Sequence, residues 1–193
     1  MIDLCIDTSA GSSVAVMRDG EVVARGYEDN PRMHAEALTP LIEQARSEAG
    51  VAPGSWDRVL VGTGPAPFTG LRAGLITAKV IAKASGAQLH GIPSLAVLAK
   101  AHLGNEVGEV VTAMSDARRG EVYWAVYRNG EEGLEEVRPP YVGKTAEEQG
   151  RVVGPGVPVD VTVMPALVEE YLARGEDTPV QPLYLRRPDI HGA

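Results

Sequence analysis

The chain has 193 residues, 44% of them hydrophobic, so it is long enough to bury a core in one domain or two small lobes. A formal net charge of −8 argues against strong nucleic-acid binding by the chain alone, because such binding depends largely on Lys and Arg at phosphates. One cysteine excludes an internal disulfide, no run approaches about 18 apolar residues, and together these features predict a cytoplasmic protein without membrane contact.

The N-terminal segment predicts a meander of three short strands, at residues 2–7, 14–17 and 21–27. Asp19-Gly20 between the last two strands is a strong hairpin signal. The first turn contains Asp7, Thr8 and Ser9. Backbone N–H groups of a tight turn suit anions, so these three residues are candidates for a vestigial phosphate loop. The alternative is a structural turn in which the side chains cap the local backbone.

A helix is predicted over residues 34–49, because Leu38, Leu41, Ile42 and Ala45 fall at helical spacing. Pro40 lies inside this pattern, and an interior proline predicts either a kink or a late start. A strand is then expected at residues 59–62.

The stretch 61–85 is the one around which the chain is organised: a strand end, a turn rich in glycine and proline, and a helix over 69–85. Thr69 is placed to cap this helix. The helix is apolar nearly all round, and such a helix is normally covered on both sides. Gly70, Gly74, Ala78 and Ala82 recur every four residues, which favours close helix packing.

We interpret this row as part of an interface with another protein; the alternative is that it packs only on its own sheet and on the preceding helix. The candidate interface residues are Leu38, Leu41, Ala45, Gly70, Ala73, Gly74, Thr77, Ala78 and Ile81. Gly74→Arg is then expected to abolish pairing without unfolding the chain.

The rest of the chain repeats the opening pattern. The predicted elements are a strand at 88–92, a helix from 93 to about 103, strands at 109–115 and 120–127, and a helix at 165–174. An Asp-led polar turn and a tight turn recur at Asp116 and Asn129-Gly130, as they do at Asp7 and Asp19-Gly20. We therefore predict two duplicated βββα-type halves, an N-terminal lobe over 1–104 and a shortened C-terminal lobe over 105–193.

This α/β arrangement resembles the two-lobed actin-like ATPase (ribonuclease H-like) fold. The motifs MIDLCIDTSAGSSVAV, GTGPAPFTGLRAG, DARRGEVYWAVY and PLYLRRPD resemble those of the TsaB family, which bacteria need to make threonylcarbamoyladenosine in tRNA. The resemblance implies a non-catalytic relative of TsaD, the catalytic subunit of the glycoprotease family, that pairs with TsaD through helices of its N-terminal lobe. It also implies a TsaE-like ATPase in the same assembly, and we expect contact with tRNA only through the complex. A homodimer of the isolated chain through the same helix face stays an alternative.

Two other functions stay open. A small actin-like ATP-dependent phosphotransferase would use Asp7 as its base. In the second polar turn, which begins at Asp116, the backbone would have to approach the nucleotide closely. Arg118 and Arg119 stand there instead of small residues, which argues against this function. These arginines are candidates for contact with a partner carboxylate or tRNA phosphate, or belong to a solvated turn. A homodimeric interaction protein is the third reading.

His34 has Leu38, not a second histidine, four residues on, so neither a metal nor another cofactor is expected.

Overall fold

The structure is a computed structural model that describes residues 1–30 and 34–186, without the side chains of residues 34 and 35. The strands are β1 (Ile2–Asp7), β2 (Ser12–Arg18), β3 (Glu21–Glu28), β4 (Arg58–Gly62), β5 (Gln88–Ile92), β6 (Val110–Asp116), β7 (Val122–Gly130), β8 (Gly133–Gly143) and β9 (Arg151–Val153). The helices are α1 (His34–Glu48), α2 (Phe68–Ser85), α3 (Ser94–Lys100) and α4 (Met164–Ala173). The α/β class predicted from the sequence is confirmed.

Two mixed sheets share one strand arrangement. The first has the order β3-β2-β1-β4-β5, and the second has the order β8-β7-β6-β9. In each, an antiparallel three-stranded meander gains a parallel strand beside its first strand: β4 beside β1, and β9 beside β6. The two predicted βββ openings are therefore present. That the halves descend from one duplicated unit stays a prediction.

The first sheet is buried on both faces because its central strands alternate between two hydrophobic clusters. Leu4 and Ile6 of β1 pack with α1 and α2, in the same cluster as Leu38 and Leu71. Cys5, between them, points to the other face, into a cluster that contains α3 and the inner face of the second sheet. The short helix α3 thus lies in the core between the two sheets, and the sheets share that core.

The starts of α2 and α1 test two predictions made from the sequence. Helix α2 begins at Phe68 with Pro67 as its N-cap and no side-chain cap, so the prediction that Thr69 caps it is wrong. Pro40 lies inside α1, which nevertheless begins at His34, so a late start is also excluded. Among the described helices, none combines the length and the apolar character needed to cross a bilayer.

The second hairpin turn is displaced from the predicted position. Asn129 and Gly130 belong to β7 and pair with Leu134 and Gly133, so the two-residue turn is 131–132. Gly133 has a φ of 106°, a conformation that glycine adopts at little cost. The predicted Asp19-Gly20 turn is confirmed, since β2 ends just before it and β3 begins just after it.

The segment 176–186, here called the C-terminal strap, runs from the end of α4 back across the first sheet. It covers β5, which is an edge strand of that sheet. The N–H of Gly91 donates to the carbonyl of Thr178 at 2.9 Å, and the N–H of Leu183 donates to the carbonyl of Thr63 at 2.9 Å. Backbone groups of an edge strand are thereby satisfied within the chain.

Farther along, the strap contacts the start of α2 and the second lobe. The Tyr184 ring lies 4.8 Å from the Phe68 ring, and Arg72 Nε donates to the Tyr184 hydroxyl at 3.0 Å. Arg186 donates to the carbonyl of Ala117 at 3.1 Å. The sequence also predicts disorder from residue 189 onward, and that segment lies outside the described residues. The division into lobes 1–104 and 105–193 stays a prediction, and the strap contacts both.

Candidate functional site

The Asp7 carboxylate is fully engaged by groups of its own chain. The side chain is buried, at 1% exposure. Its Oδ1 accepts hydrogen bonds from the Ser9 N–H at 2.7 Å and the Ser9 hydroxyl at 2.5 Å. Its Oδ2 accepts from the Ser94 hydroxyl at 2.6 Å. The N–H that an anion would need is thus committed to a local turn, as the structural alternative for this loop predicts.

The neighbours of Asp7 make this loop a junction of the first lobe. Ser94 at the start of α3 also accepts from the Gly64 N–H at 3.1 Å, so one hydroxyl links β1, the end of β4 and α3. The Thr8 hydroxyl donates to the carbonyl of Gly70 at 2.8 Å and holds the first turn of α2 against the loop. Both side chains therefore have structural partners.

The second predicted loop faces the first across a small cleft of about 290 Å³, with Ser9 on one side and Asp116 and Arg118 on the other. Ligand pockets are typically about 300–1,000 Å³, so this space is at the lower limit. Asp116 Oδ1 accepts from the Arg118 N–H at 2.8 Å, as Asp7 does from Ser9. The structure brings the two predicted loops together, and Arg118 occupies part of the space between them. Arg119 is exposed beside it.

Arg118 and Arg119 both have left-handed backbone conformations, with φ of 65° and 58°. This conformation costs roughly 1–2 kcal/mol per non-glycine residue. We expect Arg118→Gly to stabilise the chain by about 1 kcal/mol, raising Tm by about 2–4 °C in thermal unfolding followed by circular dichroism. Arg25→Gly in extended β3 is the matched control and should lower Tm. A fall in Tm for Arg118→Gly would show that its side chain holds the turn.

The small-residue row of α2 packs inside the chain. A Cβ added at Gly74 would lie 2.5 Å from Thr8 Oγ1, and Gly70 and Ala78 are also buried. On α1, Leu38 and Ala45 are buried at 1% exposure each. These five candidates therefore do not lie on a surface that a partner could reach. The expectation that Gly74→Arg leaves the fold intact is wrong, because the arginine would displace the Asp7 loop.

The remaining interface candidates are half-buried, and the most exposed apolar side chains of α2 were not among them. Leu41, Ala73, Thr77 and Ile81 are each partly covered. Ile76 and Val80 are 61% and 62% exposed. They lie on the face opposite the buried one, flanked by the exposed cations Arg72, Lys79 and Lys83. This face could have been found from the sequence: 69, 73, 76, 80 and 84 form one helical stripe opposite Leu71 and Leu75.

Among the side chains that the structure describes, no ion pair joins α1 to α2. Glu36, Glu43 and Glu48 of α1 are exposed. Glu43 forms its ion pair with Arg46 of the same helix at 2.9 Å.

Within the described residues, no group of three or more His, Cys, Asp or Glu side chains is placed to hold a metal ion. The side chain of His34 lies outside the described residues.

Comparison with known proteins identifies relatives along nearly the whole chain. The sequence model of the TsaD family, described as tRNA N6-adenosine threonylcarbamoyltransferase, matches residues 28–181. An uncharacterized protein of Mycobacterium tuberculosis (strain ATCC 25618 / H37Rv) is 34% identical over 202 residues, which cover 96% of this chain and 92% of that protein. The structure of YeaZ from Pseudomonas aeruginosa is similar with a TM-score of 0.80 and 26% identity, covering 95% of this chain and 99% of YeaZ.

Several curated relatives carry the functional name tRNA threonylcarbamoyladenosine biosynthesis protein TsaB, and two of them are described here. The one from Escherichia coli (strain K12) is 33% identical over 132 residues, which cover 68% of this chain and 57% of that protein. The one from Bacillus subtilis (strain 168) is 29% identical over 140 residues, covering 72% of this chain and 60% of that protein. The similarity to YeaZ confirms the actin-like ATPase fold. The chain therefore belongs to the TsaD-related family of tRNA threonylcarbamoyladenosine biosynthesis proteins, as a member of its TsaB branch.

Proposed function

We propose that this chain is a non-catalytic partner subunit for a TsaD-like threonylcarbamoyltransferase, acting in the cytoplasm on the adenosine next to the anticodon of tRNA. The observation that carries the proposal is the exposed apolar pair Ile76 and Val80 on α2. A TsaE-like ATPase joins the assembly, and tRNA is contacted through the complex. Arg118 and Arg119 stay candidates for contact with the partner or with tRNA phosphate.

The proposed interface is the outer face of α1 and α2. The opposite face of α2 is already buried against the first sheet and the Asp7 loop. What remains outside is a stripe in which Ile76 and Val80 stand four residues apart, with the small Ala73 beside them. Residues four apart form the ridges by which helices pack. A partner with a similar helix pair would bury this stripe, while the flanking cations and the α1 carboxylates set its orientation.

The engagement of Asp7 supports a binding role over catalysis by this chain. A general base must be free to accept a proton from its substrate. Here both carboxylate oxygens accept hydrogen bonds from Ser9 and Ser94. If the chain were a phosphotransferase, calorimetric titration with magnesium and ATP would show binding by the isolated chain. We expect none up to millimolar nucleotide.

The double variant Ile76→Asp/Val80→Asp should bind a TsaD-like subunit at least about 100-fold more weakly, because central apolar contacts of an interface can each contribute 2 kcal/mol or more. The affinity is measured by surface plasmon resonance with the purified catalytic subunit. Tm should stay close to the wild-type value, since both side chains are exposed. Val107→Asp, at a loop position that is 65% exposed, is the matched control and should bind normally. Unchanged affinity of a folded double variant would contradict this interface.

The same face can also join two copies of this chain. Sedimentation equilibrium at several concentrations distinguishes monomer from dimer, and the double variant should be monomeric throughout. If the wild-type chain dimerises but shows no affinity for a TsaD-like subunit, the homodimeric reading replaces the partner reading.

A further inference from the structure

Two of the motifs that resemble the TsaB family meet at the first turn of α2. The motif GTGPAPFTGLRAG contains Phe68 and Arg72, and the motif PLYLRRPD contains Tyr184 of the C-terminal strap. The centres of the Phe68 and Tyr184 rings lie 4.8 Å apart, although 115 residues separate them in the chain. The function proposed above uses neither ring, so their meeting requires a separate explanation.

The two rings fix the position of an exposed arginine, Arg72. Its guanidinium carbon lies 5.4 Å from the centre of the Phe68 ring and 5.7 Å from the centre of the Tyr184 ring, within the range of cation–π contacts. Its Nε donates to the Tyr184 hydroxyl at 3.0 Å. An exposed arginine loses rotamer freedom when it binds a partner, and here part of that loss has occurred before a partner arrives.

The two terminal nitrogens of Arg72 are not engaged by the part of the chain that the structure describes: neither has a hydrogen-bond or ion-pair partner there. An arginine fork can bind a carboxylate through two parallel N–H···O bonds, which are shorter and stronger than hydrogen bonds between neutral groups. Arg72 is therefore a positioned donor for one carboxylate.

The alternative is that Arg72 only fastens the strap to α2. The strap is already fastened on both sides of Tyr184 without it. The N–H of Leu183 donates to the backbone of the loop after β4 at 2.9 Å, and Arg186 donates to the carbonyl of Ala117 at 3.1 Å. These bonds favour a role of Arg72 toward another molecule.

The place of Arg72 on the helix indicates what kind of molecule carries the carboxylate. Arg72 precedes Ile76 by four residues and Val80 by eight, so it lies at the start of the same exposed face of α2. A surface that covers the apolar pair therefore reaches Arg72 as well. Interfaces with nucleic acid are more polar than those between proteins, so the apolar pair favours a protein.

We propose that Arg72, positioned by Phe68 and Tyr184, binds an Asp or Glu carboxylate of the TsaD-like subunit at the edge of the α1–α2 interface. This inference rests on the function proposed above, and it extends the interface from the two helices onto the C-terminal strap. Arg72 then fixes the register of the partner. Lys79, on the same face, has no ring or ion-pair contact to the described residues and contributes only long-range attraction.

The test is surface plasmon resonance with the purified TsaD-like subunit. Arg72→Ala should weaken binding about 30-fold, as expected when a positioned charge pair at an interface loses one member. Lys79→Ala removes the same charge from the same face, and this matched control should change the affinity less than about threefold. Arg72→Lys retains the charge but not the fork, so it should still weaken binding about tenfold. Circular dichroism confirms that each variant is folded.

Two further readouts distinguish recognition from a structural role. Raising the salt from about 0.05 M to about 0.5 M should reduce the wild-type affinity by a larger factor than that of Arg72→Ala, because salt screens the charge pair that the variant lacks. Tyr184→Phe keeps the ring but removes the acceptor of the Arg72 Nε–H, and it should weaken binding about threefold with little change in Tm.

Three results would overturn the role of Arg72. Folded Arg72→Ala could bind like wild type while Ile76→Asp/Val80→Asp does not, which would leave the interface standing without this contact. Equal effects of Arg72→Ala and Lys79→Ala would assign the loss to non-specific charge. A loss seen only when tRNA is present would assign Arg72 to a phosphate. If the Ile76/Val80 double variant also binds normally, the proposed interface itself is wrong.

Discussion

Arg58→Leu should lower the free energy of unfolding by about 3–5 kcal/mol, the usual cost of removing one member of a buried ion pair. Arg58 donates two hydrogen bonds to Asp3, at 2.8 and 2.7 Å. The side chains are 8% and 2% exposed, so water cannot replace the lost partner. The hydrogen bonds that Arg58 donates to the Asp3 carboxylate raise the pKa of Arg58, which agrees with a firmly held cation.

The measurement is urea denaturation of wild type, Arg58→Leu and the double variant Asp3→Leu/Arg58→Leu. The double variant should recover most of the loss, because it leaves no buried charge without a partner. Single Asp3→Leu should be as damaging as Arg58→Leu. A loss below about 1 kcal/mol for either single variant would mean that solvent reaches this pair, contrary to its burial.

Gly62→Ala should destabilise the chain by about 3 kcal/mol, at the upper end of the usual cost of overpacking a core. A Cβ at this position would lie 1.8 Å from Asp7 Oδ2. That oxygen cannot move away freely, because the hydroxyl of Ser94 holds it at 2.6 Å. One methyl group would therefore disturb the whole junction of β1, β4 and α3.

Gly143→Ala is the matched control. An added Cβ there has its nearest neighbour at 3.5 Å, an ordinary contact, so its free energy of unfolding should change little. Both variants are compared by urea denaturation. If Gly62→Ala retained wild-type stability, the hydrogen bonds of Asp7 would be looser than the structure shows.

Local patterns in the sequence predicted most of the elements, because each pattern arises from contacts within a few residues. The strands at 2–7 and 88–92 lie where their alternation and flanking turns place them. The prediction of a hairpin turn at Asn129-Gly130 was wrong because a residue distant in the sequence sets the register between β7 and β8. The Leu134 N–H is held by the Glu170 carboxylate of α4 at 2.9 Å, a contact that no local signal contains.

The candidate site likewise shows that local sequence patterns do not identify contacts between distant residues. The spacing of Gly70 and Gly74 correctly indicates that something approaches α2 closely, but it does not identify what approaches. That neighbour is Thr8 of the same chain. The cavity of about 690 Å³ between β7, β8, α4 and the C-terminal strap could not be predicted at all, because its walls come from segments as distant as Tyr127 and Asp177. Proximity of this kind is a property of the topology.

The C-terminal strap also affects the order in which the protein is completed during synthesis. Strand β5 leaves the ribosome well before Thr178, and at roughly 5–20 residues per second the delay is on the order of ten seconds. During that time the Gly91 N–H, which finally donates to Thr178, has no strap to receive it. The nascent first lobe thus presents an open strand edge, which can pair with other chains. Chaperones or a rapidly bound second subunit would be most useful in this interval.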